Sequence, residues 1–281
     1  MQPVIRAVRR DEMALVIDFA AREGWNPGLH DAEAFHAADP NGFLVAECDG
    51  EPVGCIAAVS YEGRFGFIGL YIVQEAWRGK GIGLQLWTAG MARLKGHVVG
   101  LDGVPAQQAN YRRSGFALAW QNVRFAGVTG PPPQTRPAQI VPLHTVDIAL
   151  LRADDRRVFP AARDAFLEHW TTMPGAVGLV WLEHGRLGGW GLIRRCREGH
   201  KIAPLVADRP AVAQALFAAL CTAVPPGETF FIDVPLPNQE AVALAETHGM
   251  QRVFETARMY AGPPPAGAIE RVYGITSFEL G

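Results

Sequence analysis

An excess of basic charge is missing from this sequence: 26 lysines and arginines face 28 aspartates and glutamates, a formal net charge of −2. Proteins that grip a nucleic-acid backbone usually carry a basic field, so no nucleic-acid partner is expected. Long apolar runs are missing too. The opening MQPVIRAVRRDEM has no signal-peptide core, and no uninterrupted apolar stretch is long enough to span a bilayer. That pattern predicts a cytoplasmic protein with no membrane partner. Cysteine is scarce, and Cys48, Cys55, Cys196 and Cys221 lack the spacing of a metal knuckle or a redox pair. They read as reduced cytosolic thiols. The eight histidines form no HxxxH or HExxH pattern, so no metal is expected. What is present, 49% hydrophobic and 19% charged residues, describes an ordinary globular chain rather than a disordered one.

A chain of 281 residues exceeds the usual size of one domain, so two are expected. The clearest break is GVTGPPPQTRPAQ, Gly127 to Gln139, whose consecutive prolines exclude helix and central strand alike. Features on its two sides correspond. CDGEPVG near Gly50 and EHGRLGG near Gly185 are hairpin signals. YRRSGF at Gly115 and AETHGM at Gly249 both end a helical pattern on glycine. VRFAG at Gly127 and RMYAG at Gly262 both close a strand-like run, with PPP after each. The three glycine pairs stand 135, 134 and 135 residues apart. Three ordered matches at nearly one offset predict a tandem duplication. Residues 1–126 form one copy, 127–139 a proline-rich linker and 140–281 the other.

The first copy reads as an α+β domain. A strand near VIRAV leads to helices from about Asp11 to Arg22 and near DAEAFHAA. Strands Gly42 to Cys48, Pro52 to Tyr61 and Phe65 to Val73 follow. Apolar residues at helical spacing (Ile82, Leu86, Trp87, Met91, Leu94) predict a helix over Ile82 to Leu94. VVGLDGV is the next strand, PAQQANYRRSG a helix with Pro105 at its start, and FALAWQNVRFA a last strand. Helices on both faces of a mixed sheet follow from that alternation.

Chemistry concentrates at WRGKGIG, Trp77 to Gly83. A dinucleotide fingerprint would need a third glycine, and an NTP loop a Ser or Thr after the lysine; neither is there. What remains is Arg78-x-x-Gly81-x-Gly83 between a strand and a helix. Its glycines turn backbone N–H groups toward one point, and the helix N-terminus adds roughly half a positive charge. Arg78 and Lys80 add full charges. A pyrophosphate fits; the plain alternative is a tight turn with exposed cations.

With RGKGIG following GLYIVQEAW, the sequence resembles the GNAT superfamily of N-acyltransferases, whose pattern there is Q/R-x-x-G-x-G/A. The resemblance implies that Arg78, Gly79, Lys80, Gly81, Ile82 and Gly83 hold the pyrophosphate of acetyl-CoA. It implies too that Ile72 and Val73 offer backbone groups to the pantetheine arm and the thioester oxygen. NYRRSGF places Tyr111 four residues before the GF glycine, where the family often has the acid that protonates the departing thiolate. The alternative is a tyrosine that only packs its ring. The family's upstream asparagine is absent, with Val104 and Gln107 at the corresponding places and Gln107, Gln108 or Asn110 as substitutes.

The acceptor amine must lose a proton. Asp102, Glu23 and Glu62 are candidates to take it. Glu23, Trp25 and Asn26 fall where the family builds its acceptor site, with Trp25 a wall and Asn26 a hydrogen-bonding corner. A solvated Glu23, a core Trp25 and a helix-capping Asp102 are the alternatives.

The second copy departs. The common offset lands on AQALFA in place of RGKGIG, and Ala245 stands at the tyrosine position. One acyl-transfer site is expected, in 1–126, with a degenerate second copy walling part of the acceptor cleft. ERVYGITSFELG at the C-terminal end adds a strand to one copy or the other. The expected activity is acetylation of a primary amine on a small molecule. A protein lysine or N-terminal acceptor is the alternative, and a non-catalytic acyl-CoA sensor the rival class.

Overall fold

The computed structural model describes residues 3–130 and 136–281. Pro131 to Pro133 in the expected linker lie outside the described residues. The first half runs β1 (Val4–Ala7), α1 (Met13–Arg22), α2 (Asp31–Ala38), β2 (Phe43–Cys48), β3 (Glu51–Tyr61), β4 (Phe65–Val73), α3 (Ile82–Arg93), β5 (Val98–Gly103), α4 (Gln108–Arg113) and β6 (Ala117–Val128). The second half repeats this plan. It runs β7 (Ile140–Pro142), α5 (Ile148–Val158), α6 (Asp164–Thr171), β8 (Val177–Glu183), β9 (Arg186–Arg195), β10 (His200–Ala207), α7 (Pro210–Cys221), β11 (Thr229–Pro235), α8 (Gln239–Thr247), β12 (Gln251–Ala261) and β13 (Val272–Gly274). Asp49-Gly50 and His184-Gly185 turn the two matching hairpins. Both residues of each pair have positive φ, the conformation a two-residue hairpin turn requires.

The two copies do not keep separate sheets. Among the described residues, thirteen strands join one sheet in the order β1-β2-β3-β4-β5-β12-β6-β11-β10-β9-β8-β7, with β13 paired to β10 off that path. The corresponding strands β6 and β12 are exchanged between the copies. β12 lies antiparallel between β5 and β6, and β6 lies antiparallel between β12 and β11. Gly127 and Val128, at the start of the expected linker, belong to β6 because they pair with Phe230 and Thr229 of β11.

Alternation along the strands divides the core. Cys55, Ala57, Val59 and Tyr61 of β3 face α1, α2, α5 and α6, in one cluster shared by both halves. Ile56 and Ala58 face α3, and α7 and α8 cover the same side of the second half. Phe35 of α2 stacks on Trp170 of α6, centroids 6.2 Å apart. A buried pair, Arg194 with Asp31 at 2.7 and 2.9 Å, also ties the halves.

The C-terminal segment serves both copies. β10 and β11 pair in parallel only through His200–Ile202, and β13 enters the opening beyond, antiparallel to Leu205 and Val206 of β10. Ile275 then donates to the carbonyl of Asp233 at 2.9 Å. The chain continues against the first half, where Tyr61 donates to the carbonyl of Leu280 at 3.1 Å. No helix among the described residues is long and apolar enough to cross a membrane.

Candidate active site

The opening that β13 fills in the second half stays open in the first. β4 and β5 pair in parallel only over Phe65–Ile68 with Val98–Leu101, then diverge. The β3–β4 register shifts between Cys55 and Ala57, and Leu70 on the opposite strand has φ of 48°. A non-glycine residue there is uncommon, and it works as a bulge that re-aims the strand. Beyond Ile68, Gly69 to Val73 have no strand partner on the β5 side among the described residues. Ile72 and Val73 lie on this free edge.

At the mouth of the opening, WRGKGIG turns into α3. Gly79 and Gly81 have φ of 75° and 79°, and Gly81 is the N-cap with no capping side chain. The first-turn N–H groups of α3, Ile82 and Gly83 among them, therefore have no intrahelical acceptor. Gly83 has a separate reason to be glycine: a Cβ there would lie 2.8 Å from the Tyr71 hydroxyl. Arg78 bends back from the loop, donating from Nε to the carbonyl of Val73 at 2.8 Å and from Nη2 to Glu23. Lys80 sits over the Trp77 ring, 4.6 Å from its centroid. Trp77 and Arg78 donate their N–H groups back to the carbonyls of Gln74 and Glu75 at 2.8 and 3.2 Å, and the loop's cations help hold its shape.

A cavity of about 350 Å³ fills the divergence. Tyr111 lines it from α4, its ring 5.5 Å from Trp87 and 6.4 Å from Phe116. Gly103 leaves room for that ring, since a Cβ there would meet Tyr111 at 2.7 Å. Burial, with Tyr71 nearby, pushes the Tyr111 phenol above its usual value, so its proton is retained at neutral pH. Gln107 lines the cavity and accepts from Asn110 at 2.6 Å.

The candidate acceptor residues divide. Glu23 and Trp25 line the cavity; Glu23 is paired with Arg78, and the Trp25 carbonyl accepts from Arg124 at 2.8 Å. Asn26 does not face it. Its side-chain amide is spent on the β9–β10 turn, donating to and accepting from the backbone of Glu198 at 2.9 Å each way. Glu62 is placed elsewhere as well, accepting from the N–H of Ala162 at 3.2 Å. Asp102 reaches the cavity wall, but its oxygens accept from Arg258 at 2.8 and 2.7 Å and from Asn122 at 2.8 Å. It caps no helix: Val104 is the cap of the following turn.

The lining residues that come from the second copy were missed from sequence: Phe254 and Thr256 of β12, and Phe278 and Glu279 of the C-terminal segment. They lie far along the chain from the first-half motifs, and no local pattern marks them. Only strand exchange brings β12 beside β5. Thr256 Oγ1 is buried without a hydrogen bond among the described residues.

Among the described residues, the second half has no counterpart of the glycine loop or of Tyr111. β13 occupies its opening, α7 begins at Pro210 with no glycine loop before it, and Ala245 of α8 is buried.

Residues 10–116 match the acetyltransferase (GNAT) family, and residues 151–274 match an acetyltransferase (GNAT) domain. A holothin acyltransferase of Pseudoalteromonas sp. (strain SANK 73390) is 31% identical over 96% of this chain and 92% of its own length. A candidate acetyltransferase from Pyrococcus horikoshii superposes with a TM-score of 0.84 at 23% identity, covering 100% of this chain and 96% of that one. A tandem GNAT protein from the clavulanic acid biosynthesis pathway gives 0.67 at 15%, covering 94% and 100%. A glycine loop at a helix N-terminus, an opened pair of parallel strands and a second copy of the same plan therefore have one explanation: the chain is an acyltransferase of the GNAT superfamily, in its tandem form.

Proposed function

We propose that residues 1–126 bind acetyl-CoA and transfer its acetyl group to the primary amine of a small molecule, with Tyr111 as general acid. The family uses acyl-CoA, and the residues here suit it. Uncapped amides at α3, flanked by Arg78 and Lys80, provide the anion site a pyrophosphate needs. The free β4 edge at Ile72 and Val73 offers backbone groups to a pantetheine arm and a thioester oxygen, where an aligned N–H stabilises the developing oxyanion. One observation carries the reading. The buried, protonated Tyr111 hydroxyl shares a cavity with that edge, within reach of a thiolate leaving from it. Residues 140–281 act as a wall rather than a second catalyst, contributing Phe254, Thr256, Phe278 and Glu279.

A cavity of about 350 Å³ favours a small acceptor over a protein chain, and the holothin acyltransferase relative supports the same choice. The four thiols are unpaired, which fits a reducing cytoplasm. The test is thermal shift with acetyl-CoA against CoA and NAD, followed by thiol release across a library of primary amines. Selective stabilisation by acetyl-CoA is expected; stabilisation by neither CoA species would remove the reading.

A further inference from the structure

Buried carboxyl groups in this protein are clamped by arginine. Asp31 is held by Arg194, Asp102 by Arg258, Asp154 by Arg271, Asp155 by Arg163 and Asp233 by Arg124. Glu279 is different. It is 5% exposed, yet among the described residues its carboxylate accepts no hydrogen bond and makes no ion pair. Its oxygens are not sealed off, and the residue lines the active-site cavity. An unpartnered buried carboxyl is costly, so one open only to a substrate cavity has the character of a group awaiting a ligand.

The segment that carries it is fixed on both sides. Leu280 donates from its N–H to the Ser277 hydroxyl at 2.9 Å, and its carbonyl accepts from Tyr61. The Glu279 carbonyl presses so closely on Gly69 that a Cβ there would lie 1.9 Å away. Trp25, Phe254 and Phe278 surround the same space with aromatic surface, which suits an amine borne on a flat apolar body.

We infer that Glu279 accepts the proton lost by the acceptor amine. This rests on the acyl-transfer reading above. The amine nitrogen bonds to the thioester carbonyl carbon, and one N–H proton passes to the Glu279 carboxylate. The C–S bond breaks with its electron pair on sulfur, which takes the Tyr111 proton. Glu279 then releases its proton to solvent and Tyr111 regains one, leaving amide and free thiol.

Burial pushes the Glu279 carboxyl up. Lys201 on β10 and Arg124 on β6 oppose that shift, while Asp31 on α2 and Asp233 on β11 add to it. Glu23, Arg78, Tyr71 and Asp102 face it across the cavity. A base raised toward neutrality is better matched to an ammonium donor than an ordinary carboxylate. Activity is therefore lost as pH falls through a limb lying above the usual carboxylate range.

The test compares wild type, Glu279→Gln and Glu279→Asp. Calorimetry with acetyl-CoA comes first: no binding by wild type defeats the acyl-transfer reading, whereas equal binding by all three isolates the base. With benzylamine and tryptamine as acceptors, thiol release by Glu279→Gln is expected to fall about 10²- to 10⁴-fold, with its acidic limb displaced. Glu279→Asp should recover part of the rate. A rate within threefold of wild type and an unchanged pH profile would overturn the inference. If neither amine turns over, carboxyl ¹³C NMR decides. The Glu279 signal, identified by its loss in Glu279→Gln, must shift when either amine is added to the CoA complex; no shift with both also overturns it.

Discussion

Arg258 faces Asp102 across β5 and β12, donating from Nε and Nη2 to the two carboxylate oxygens at 2.8 and 2.7 Å. They are direct cross-strand partners in the antiparallel register. Arg124 and Asp233 stand in the same relation across β6 and β11, at 2.6 and 2.8 Å. The arginines are 134 residues apart and the aspartates 131. The duplication thus carries one ion pair twice, and strand exchange places the arginine of each copy beside the aspartate of the other. The halves are locked by reciprocal charge.

Removing one partner leaves a buried charge uncompensated, which costs about 3–5 kcal/mol. Arg258→Met should therefore lower the urea midpoint sharply. Arg258→Met with Asp102→Leu should recover most of that loss, since apolar replacement of both partners is often close to neutral. Denaturation of the three proteins measures it. A single variant as stable as wild type would show that Asp102 needs no partner there, and would reopen its case as a free carboxylate.

Gly69 tests the contact between the C-terminal segment and β4. A Cβ at 1.9 Å from the Glu279 carbonyl cannot be accommodated without backbone movement, and such overpacking costs about 1–3 kcal/mol. Gly69→Ala should lower the melting temperature and slow thiol release together, because the displaced segment carries Glu279 with it. Unchanged melting would mean that the segment does not rest on β4.

Much of this was legible in the sequence wherever the cause is local. Asp49-Gly50 turned its hairpin, the Ile82-Leu86 pattern made α3, and the glycines of RGKGIG uncapped that helix. The partners that occupy Asn26 and Asp102, Glu198 and Arg258, were not legible because they come from the other copy. Nothing local to β6 or β12 says that the two exchange places, since each reads only as an alternating strand. Glu279 was unreadable for the same reason: FELG becomes part of a cavity only after β13 has entered the second opening and directed the chain across to β4.

That entry of β13 carries a prediction about stoichiometry. The second opening is filled by backbone that pairs with β10, and no uncapped glycine loop precedes α7. Calorimetric titration with acetyl-CoA should give one site per chain. Two sites would require β13 to leave, and would show that the second copy is a binding domain in its own right.

Tyr111→Phe separates acid from packing. The ring contacts with Trp87 and Phe116 survive the change, and the hydroxyl makes no hydrogen bond among the described residues, so stability should hold. Loss of a general acid costs about 10²- to 10⁴-fold, and kcat should fall by that order while acetyl-CoA affinity is retained. The pH dependence carries a sign. A free phenol ionises near ~10, and burial moves Tyr111 higher. Its donor form is therefore complete throughout the neutral range, and activity should not decline as pH rises until above about 10. A decline near pH ~8 that vanishes in Tyr111→Phe would mean a phenol shifted downward, contrary to its burial. Unchanged turnover in Tyr111→Phe would remove it as the acid and leave the thiolate to depart unprotonated.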